Sequence, residues 1–314
     1  MSIKINNFGG PLIWLFRKYC SNITSRIMLF AVSKKYLKDT DEFIQNFLHQ
    51  ENIPIFQNVM IETINRCNGI CEFCPANRND ETRPFKKMTD DMYYGIINEL
   101  QEMEWSGKLF LCVNNEPFLD KRIITFAQYA KMKILSVSIV LITNGSLLTN
   151  EKMDEMLGIV DEIIINDYSQ KYILSRSIKG IYKYVKEHPN KFNTMKITIN
   201  RRYNKEILAT RAGNAPNKKN KNVKMKISCL YPFTDFVVFP DGQVGMCCND
   251  CKECSCFGDI SKNKILDIWK NKKYQNLRYA ISKGRDKYEF CKECDVVDAG
   301  EREEYIKSIK WNGM

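Results

Sequence analysis

Only two histidines, His49 and His188, occur in the chain, which argues against a histidine-rich zinc centre and against a histidine-based triad. Neither a P-loop nor a GxGxxG turn is present, so no phosphate-cradling loop is indicated. Long hydrophobic runs are missing as well. The stretch Leu12-Ile13-Trp14-Leu15-Phe16 ends at Arg17-Lys18, too short for a signal-peptide core or a membrane span, and a cytoplasmic location is expected. Acidic residues are absent from the start: residues 1–38 hold seven Lys/Arg and no Asp or Glu. The whole chain carries 48 basic against 37 acidic residues, a net charge of +11. That excess favours anionic partners without choosing among them, and a solvated Lys-rich surface accounts for it equally. What the chain does have is cysteine, 13 in all. In a chain with no export signal these read as reduced thiols or metal ligands rather than disulfides.

With 314 residues, 44% of them apolar, the chain is long enough for one large or two modest domains. Residues 1–53 form a basic extension in which Leu15, Tyr19, Ile23, Ile27 and Phe30 recur at helical spacing. The pattern suits a helix packed on the main domain, with membrane-surface contact as an alternative. Strand-like segments at 57–65, 108–114, 136–143, 161–166 and 195–200 alternate with helical patterns near 90–103, 120–132, 150–157 and 177–187. Such alternation implies βαβ units and a parallel sheet, as a barrel or a doubly wound fold. Periodicity does not separate the two. Residues 203–226 read as a Lys-rich loop or linker. Beyond them Pro240-Asp241-Gly242 lies between two strand-like runs, a hairpin signal, and a helix is expected over about 265–283.

The cysteines fall into two groups. Cys67, Cys71 and Cys74 make a CxxxCxxC directly after the first strand of the alternating region. Three thiolates on one loop suit three irons of a [4Fe–4S] cube and leave the fourth open, and no fourth ligand for zinc lies nearby in that loop. Cys229, Cys247, Cys291 and Cys294 form the second group, four thiolates suited to zinc or to a second cube. Cys248, Cys251, Cys254 and Cys256 are left over, while Cys20 and Cys112 read as core or surface residues.

With Phe73 ahead of Cys74, then Asn114-Asn115-Glu116-Pro117 after the second strand and Thr143-Asn144-Gly145 after the third, the chain resembles the radical S-adenosylmethionine (SAM) superfamily over residues 56–200. Family members usually carry two glycines where Asn114 and Asn115 stand. Pro240-Asp241-Gly242, Cys247, Gly258-Asp259-Ile260 and Ile265-Leu266-Asp267-Ile268-Trp269 resemble the SPASM/Twitch extension of that family.

The resemblance implies a partial (β/α)6 barrel over residues 54–226, followed by a small α+β auxiliary-cluster domain over 227–314. It implies one cube on Cys67, Cys71 and Cys74 and an auxiliary [4Fe–4S] cluster on Cys229, Cys247, Cys291 and Cys294. SAM contacts fall to Phe73, Asn115, Glu116 and Asn144. The implied chemistry is reductive cleavage of SAM and hydrogen abstraction by a 5′-deoxyadenosyl radical, with flavodoxin or ferredoxin as electron donor. The expected reaction is oxidation or epimerisation of a carbon in a small polyhydroxylated substrate, neutral or anionic: a sugar, aminocyclitol or nucleotide-sugar. Arg211 is the candidate substrate contact and Cys248 the candidate hydrogen donor. A peptide maturase is the alternative, disfavoured because no separate peptide-recognition region is evident. A metal-stapled nucleic-acid-binding module is a third reading. Against it, the basic residues are not interleaved with aromatic platforms, and CxxxCxxC leaves an iron open.

Overall fold

The computed structural model describes residues 3–7, 12, 15, 34–169, 171–218 and 227–296. Its centre is a run of parallel strands: β2 (Asn58–Ile61), β3 (Lys108–Phe110), β4 (Ser138–Thr143), β5 (Glu162–Ser169) and β6 (Lys196–Tyr203), with β1 (Ile3–Asn7) preceding them in the chain. From β2 to β6 each strand pairs in parallel with the one before it. A walk in one direction is the order of a barrel wall, whereas a doubly wound sheet reverses at its middle. The ambiguity left by periodicity is thereby resolved.

The crossovers are α2 (Asp90–Glu102), α3 (Ile123–Lys133), α4 (Asn150–Glu155) and α5 (Arg176–Glu187); upstream of β2 lies α1 (Lys34–His49). Side chains that accept from backbone N–H groups fix three of the starts: Thr89 caps α2, Thr149 caps α4 and Ser175 caps α5. Val59, Ile61, Leu109, Leu111, Ile139, Leu141, Ile163, Ile165, Ile197 and Ile199 alternate along the strands and join the helix residues Tyr93, Ile97, Phe126, Ile178 and Ile181 in one core. Their neighbours, among them Met60, Glu62, Phe110, Ile142, Asn166 and Asn200, face the other side.

Two features extend this wall. In the N-terminal extension, residues 3–7 are a strand, and β1 pairs in parallel with β6. The signal was period-two alternation, Ile3 and Ile5 on one face and Lys4 and Asn6 on the other. The helical spacing read over 15–30 lies outside the described residues. At the other edge, β7 (Asp235–Val238) pairs in parallel with β2 and turns through Gly242 into the antiparallel strands β8 (Gln243–Gly245) and β9 (Gly258–Asp259). Among the described residues one sheet of nine strands, ordered β1-β6-β5-β4-β3-β2-β7-β8-β9, therefore runs through both regions.

After α6 (Tyr231–Thr234) and this hairpin, the helix expected over 265–283 is two, α7 (Ile265–Lys270) and α8 (Lys272–Ser282). Asn271 leaves helical backbone at ψ 166° and caps α8 through the Tyr274 N–H. Arg278 of α8 is buried, 3.9 Å from the Trp269 ring and 5.2 Å from that of Phe47, and burial lowers it to about 10. Among the described residues no helix is long and apolar enough to cross a membrane.

Candidate functional site

Parallel strands present their C-terminal ends to one mouth, and the loop after β2 carries the first thiols there. Short turns hold it: Cys74 N–H bonds to Cys71 O at 3.0 Å and Arg78 N–H to Gly69 O at 2.8 Å. Gly69 N–H points at Cys67 Sγ, 3.3 Å away. A Cβ on Gly69 would lie 3.3 Å from Cys67 Sγ and 3.8 Å from Cys71 Sγ, so these two sulfurs converge on a space that a side chain would fill. Burial pushes Cys67 up to about 11 and Cys71 up to about 12. Both are protonated near neutrality until a metal displaces the proton.

Around this loop stand the residues expected to contact SAM. Asn144 Nδ2 donates to Asn68 Oδ1 at 2.8 Å and lies 3.9 Å from Cys67 Sγ. Glu116 is 1% exposed; one oxygen accepts from Thr143 Oγ1 and Phe118 N–H, the other from Asn144 N–H at 2.8 Å. Burial raises its carboxyl above the ordinary range. Asn115 Oδ1 accepts from Val113 N–H, while its Nδ2 is buried with no partner among the described residues, a donor left over for a ligand. Phe73 is buried and packs on Tyr168 at 5.3 Å. Arg202 lies over the same tyrosine and pairs with Glu206 at 2.6 Å.

The second group gathers where β8, α6 and the chain after α8 meet. Cys247 is buried and acts electrostatically with Cys291, Cys229 and Cys294. Cys294 N–H bonds back to Cys291 O at 3.0 Å. Arg285, 3% exposed, is held up by the same three thiols, Cys229, Cys294 and Cys291, and its Nε has no partner among the described residues. A buried cation with a spare donor beside three of the four thiols fits an anionic group held by four thiolates. Among the described residues no three His, Cys, Asp or Glu side chains converge tightly enough for a single ion. A cube, which offers each thiolate its own iron, asks for wider spacing.

Between the groups lies a junction that sequence reasoning only partly reached. Arg211, in left-handed backbone at φ 48°, donates from Nη1 to Asn114 Oδ1 at 2.8 Å and approaches Cys251 Sγ at 3.3 Å. Asn114 Nδ2 in turn donates to Cys248 O at 3.2 Å. Arg211 is thus a tethered residue, not a solvated loop arginine. Cys247 and Cys248 lie past the end of β8, where the chain turns, so strand alternation does not separate their side chains; Cys248 is half-buried and lies near both Cys247 and Arg211. Cys251 is fully buried at the junction, Cys254 and Cys256 are exposed, and Cys112 is buried at the end of β3. Cys20 lies outside the described residues.

Charge ties the cysteine-rich turn to the barrel. Arg83 bonds Glu253 at 2.7 Å, Glu81 at 2.8 Å and Glu62 at 3.4 Å, and Lys86 bonds Glu253 at 2.7 Å. Glu62, at the end of β2, is fully buried. Burial pushes it up to about 7 against the pull of Arg83.

The radical SAM superfamily model matches residues 61–166, and the SPASM model, an iron–sulfur cluster-binding domain, matches residues 229–295. The chain thus carries a radical SAM domain followed by a SPASM iron–sulfur domain. It is an enzyme that works with SAM, a SAM-binding [4Fe–4S] cluster and auxiliary iron–sulfur chemistry. The first model spans the loop of Cys67, Cys71 and Cys74; the second opens on Cys229 and closes just after Cys294. Among characterised proteins it is similar to the S-adenosyl-L-methionine-dependent 2-deoxy-scyllo-inosamine dehydrogenase of Niallia circulans, 25% identical over 254 residues, 80% of this chain and 97% of that enzyme. Among solved structures it is similar to BtrN in complex with AdoMet and 2-DOIA, with TM-score 0.66 and 23% identity over 78% of this chain and 94% of that one. An open conformation of BtrN superposes with TM-score 0.57 and 21% identity, over the same shares of the two chains.

Proposed function

We propose that this radical SAM enzyme oxidises a hydroxyl-bearing carbon of an aminocyclitol or a similar small polyhydroxylated ring to a carbonyl. The observation that carries the reading is the likeness to the inosamine dehydrogenase across 97% of that enzyme's length and 80% of this chain. Cys67, Cys71 and Cys74 hold the SAM-binding cube, with Asn115, Glu116 and Asn144 around SAM and Phe73 as packing behind it. Cys229, Cys247, Cys291 and Cys294 hold the auxiliary cube. When bound, these groups supply a hydrogen-abstracting radical derived from SAM and an acceptor for the second electron. The chain's residues do the rest. Arg211, held by Asn114 and Cys251, orients the reacting hydroxyl and stabilises its oxygen as the proton leaves. The half-buried Cys67 loop and the cysteine-rich turn limit water's access to the radical. A flavodoxin or ferredoxin delivers the reducing electron.

The test is anaerobic turnover of 2-deoxy-scyllo-inosamine by the reconstituted, reduced enzyme. The expected product lacks two hydrogens and forms one-for-one with 5′-deoxyadenosine. A second reading rests on Cys248, half-buried beside Arg211: a hydrogen atom from its thiol passes to the ring carbon to give an epimer, and an electron from the reduced donor with a proton from solvent restores the thiol. Turnover in deuterated water separates the two, because only epimerisation leaves solvent deuterium on carbon and only it is lost in Cys248→Ala.

A further inference from the structure

Two arginines lie buried in the auxiliary region with no carboxylate partner among the described residues, and they are settled in different ways. Arg278 lies over the Trp269 and Tyr274 rings, 3.9 and 4.8 Å away, and donates to the Pro232 and Trp269 carbonyls. Arg285 is sent inward by the turn after α8. Gly284 there stands at φ 121°, backbone that a side chain rarely adopts, and its N–H bonds to Ile281 O at 3.0 Å. Arg285 Nη1 donates to Val296 O and Nη2 to Ser228 O, the latter at 3.3 Å. Ser228 directly precedes Cys229, and Val296 follows Cys294 by two residues. One guanidinium therefore straps together the segments that carry the first and the last thiol of the group. Its Nε is buried with no partner among the described residues.

A buried cation without a counter-ion is costly, and a buried N–H without an acceptor adds to that cost. Asp250, a buried carboxylate of the cysteine-rich turn, uses its oxygens on the Cys254 and Ser255 N–H groups, each at 2.8 Å. Among the described residues, the negative charge within reach of Arg285 comes from Cys229, Cys294 and Cys291, with Tyr231 as the remaining acid. These thiols, with Cys247, are the proposed ligands of the auxiliary cube, and a cube held by four thiolates is an anion. Each electron it gains makes it more negative. A fixed positive charge in the same dry surroundings stabilises the reduced form more than the oxidised one. An N–H given to a ligand sulfur acts in the same direction.

We infer that Arg285 raises the reduction potential of the auxiliary cluster and so fits that cluster to accept the second electron of the oxidation. The inference rests on the proposed function for the presence of the cluster and adds the residue that sets its redox poise. In that oxidation the ring carbon has lost a hydrogen atom to the SAM-derived radical, and its hydroxyl has lost a proton. One electron then leaves the ring as the C–O bond becomes C=O. The auxiliary cluster is reduced by that electron, and the electron-carrier protein takes it away.

The experiment is a potentiometric titration of the reconstituted, substrate-free holoenzyme, followed by electron paramagnetic resonance. It compares the parent with Arg285→Met and Arg285→Lys, with iron content as the loading control. At a fixed poise, Arg285→Met is expected to show a reduced-to-oxidised ratio of the auxiliary cluster about tenfold lower, a fall of about 60 mV for one electron. Arg285→Lys, which keeps the charge, is expected to stay within about threefold of the parent. The SAM-binding cluster is the internal reference and is expected not to move. An unchanged auxiliary potential in iron-replete Arg285→Met would overturn the inference. So would an equal fall in both variants, which would leave Arg285 only its strap. Arg285→Gln keeps amide donors without the charge and carries the same test if Arg285→Met does not load. A parent that binds only one cube removes the auxiliary cluster and this inference with it. A parent with two cubes and the expected shift that leaves 2-deoxy-scyllo-inosamine unoxidised overturns the proposed substrate and leaves the role of Arg285 standing.

Discussion

Glycine at position 69 does what no other residue would. With a hydrogen where a side chain belongs, it lets two cysteine sulfurs close on the same space and aims its own N–H at one of them. Replacing it by valine puts methyl groups beyond a Cβ that is already 3.3 Å from sulfur, so the thiols must spread or turn away. Gly69→Val is expected to reduce bound iron from about eight per chain to about four, with two cubes as the reference. Iron analysis and loss of 5′-deoxyadenosine check it; full iron content with normal SAM cleavage would contradict the cradle. The thiols themselves were legible in the sequence because spacing on one loop is a local property. The glycine was not, since what it avoids touching is fixed by three dimensions. Arg285 and Cys251 were hidden for the same reason: nothing local distinguishes a buried arginine beside three thiols from one on a surface.

Among the elements, the five crossover strands and four of the helices were readable from hydrophobic period, because each buries one face against the next. Two elements were misread. β1 was missed because its five residues give only two turns of alternation, and the longer helical spacing downstream outweighed it. The helix at 265–283 was read through Asn271 because the segment holds neither glycine nor proline; Ile265, Ile268 and Trp269 would lie opposite Tyr274, Leu277 and Ile281 on one continuous helix, and that change of phase marks the break.

The latch between the turn at 249–256 and the barrel belongs to this scale, since Arg83 holds carboxylates from two separate segments and from β2. Glu62 has a folded pKa of about 7 against an ordinary 4.5. Its protonated form is the one the fold prefers, so its contribution is full below about 4.5 and is lost as pH rises through about 7. Arg83 offsets part of that loss. Arg83→Met is therefore expected to destabilise by roughly 3–5 kcal/mol above neutrality, where a buried carboxylate is left unpaired, and by clearly less at pH 5. Melting curves across pH test this; an equal loss at pH 5 and pH 8 would show that Arg83 acts through packing alone.

For the whole molecule, the sequence divided the chain into extension, barrel and auxiliary domain, whereas the sheet runs through all three. α1 contributes Phe43, Ile44 and Phe47, each at most 2% exposed, and Phe47 meets Phe233 of α6 at 5.2 Å. Burying three such side chains is worth roughly 1.5–3 kcal/mol apiece, comparable in sum with a domain's net stability. A chain beginning at residue 54 is accordingly expected to lose cooperative folding, not only an appendage. Calorimetry of the truncated protein decides it, and an unchanged melting temperature would mean the extension is dispensable.

The pairing of β2 with β7 joins residues as far apart as Asn58 and Asp235. Closing so long a loop is slow and, on the ribosome, waits for the later strand to emerge. The cysteines next to β2 are by then long since synthesised, reduced and uncovered, open to oxygen or to a wrong metal. For a cell making this protein, the vulnerable interval falls before the sheet closes, so iron–sulfur loading during synthesis would protect it better than repair afterwards.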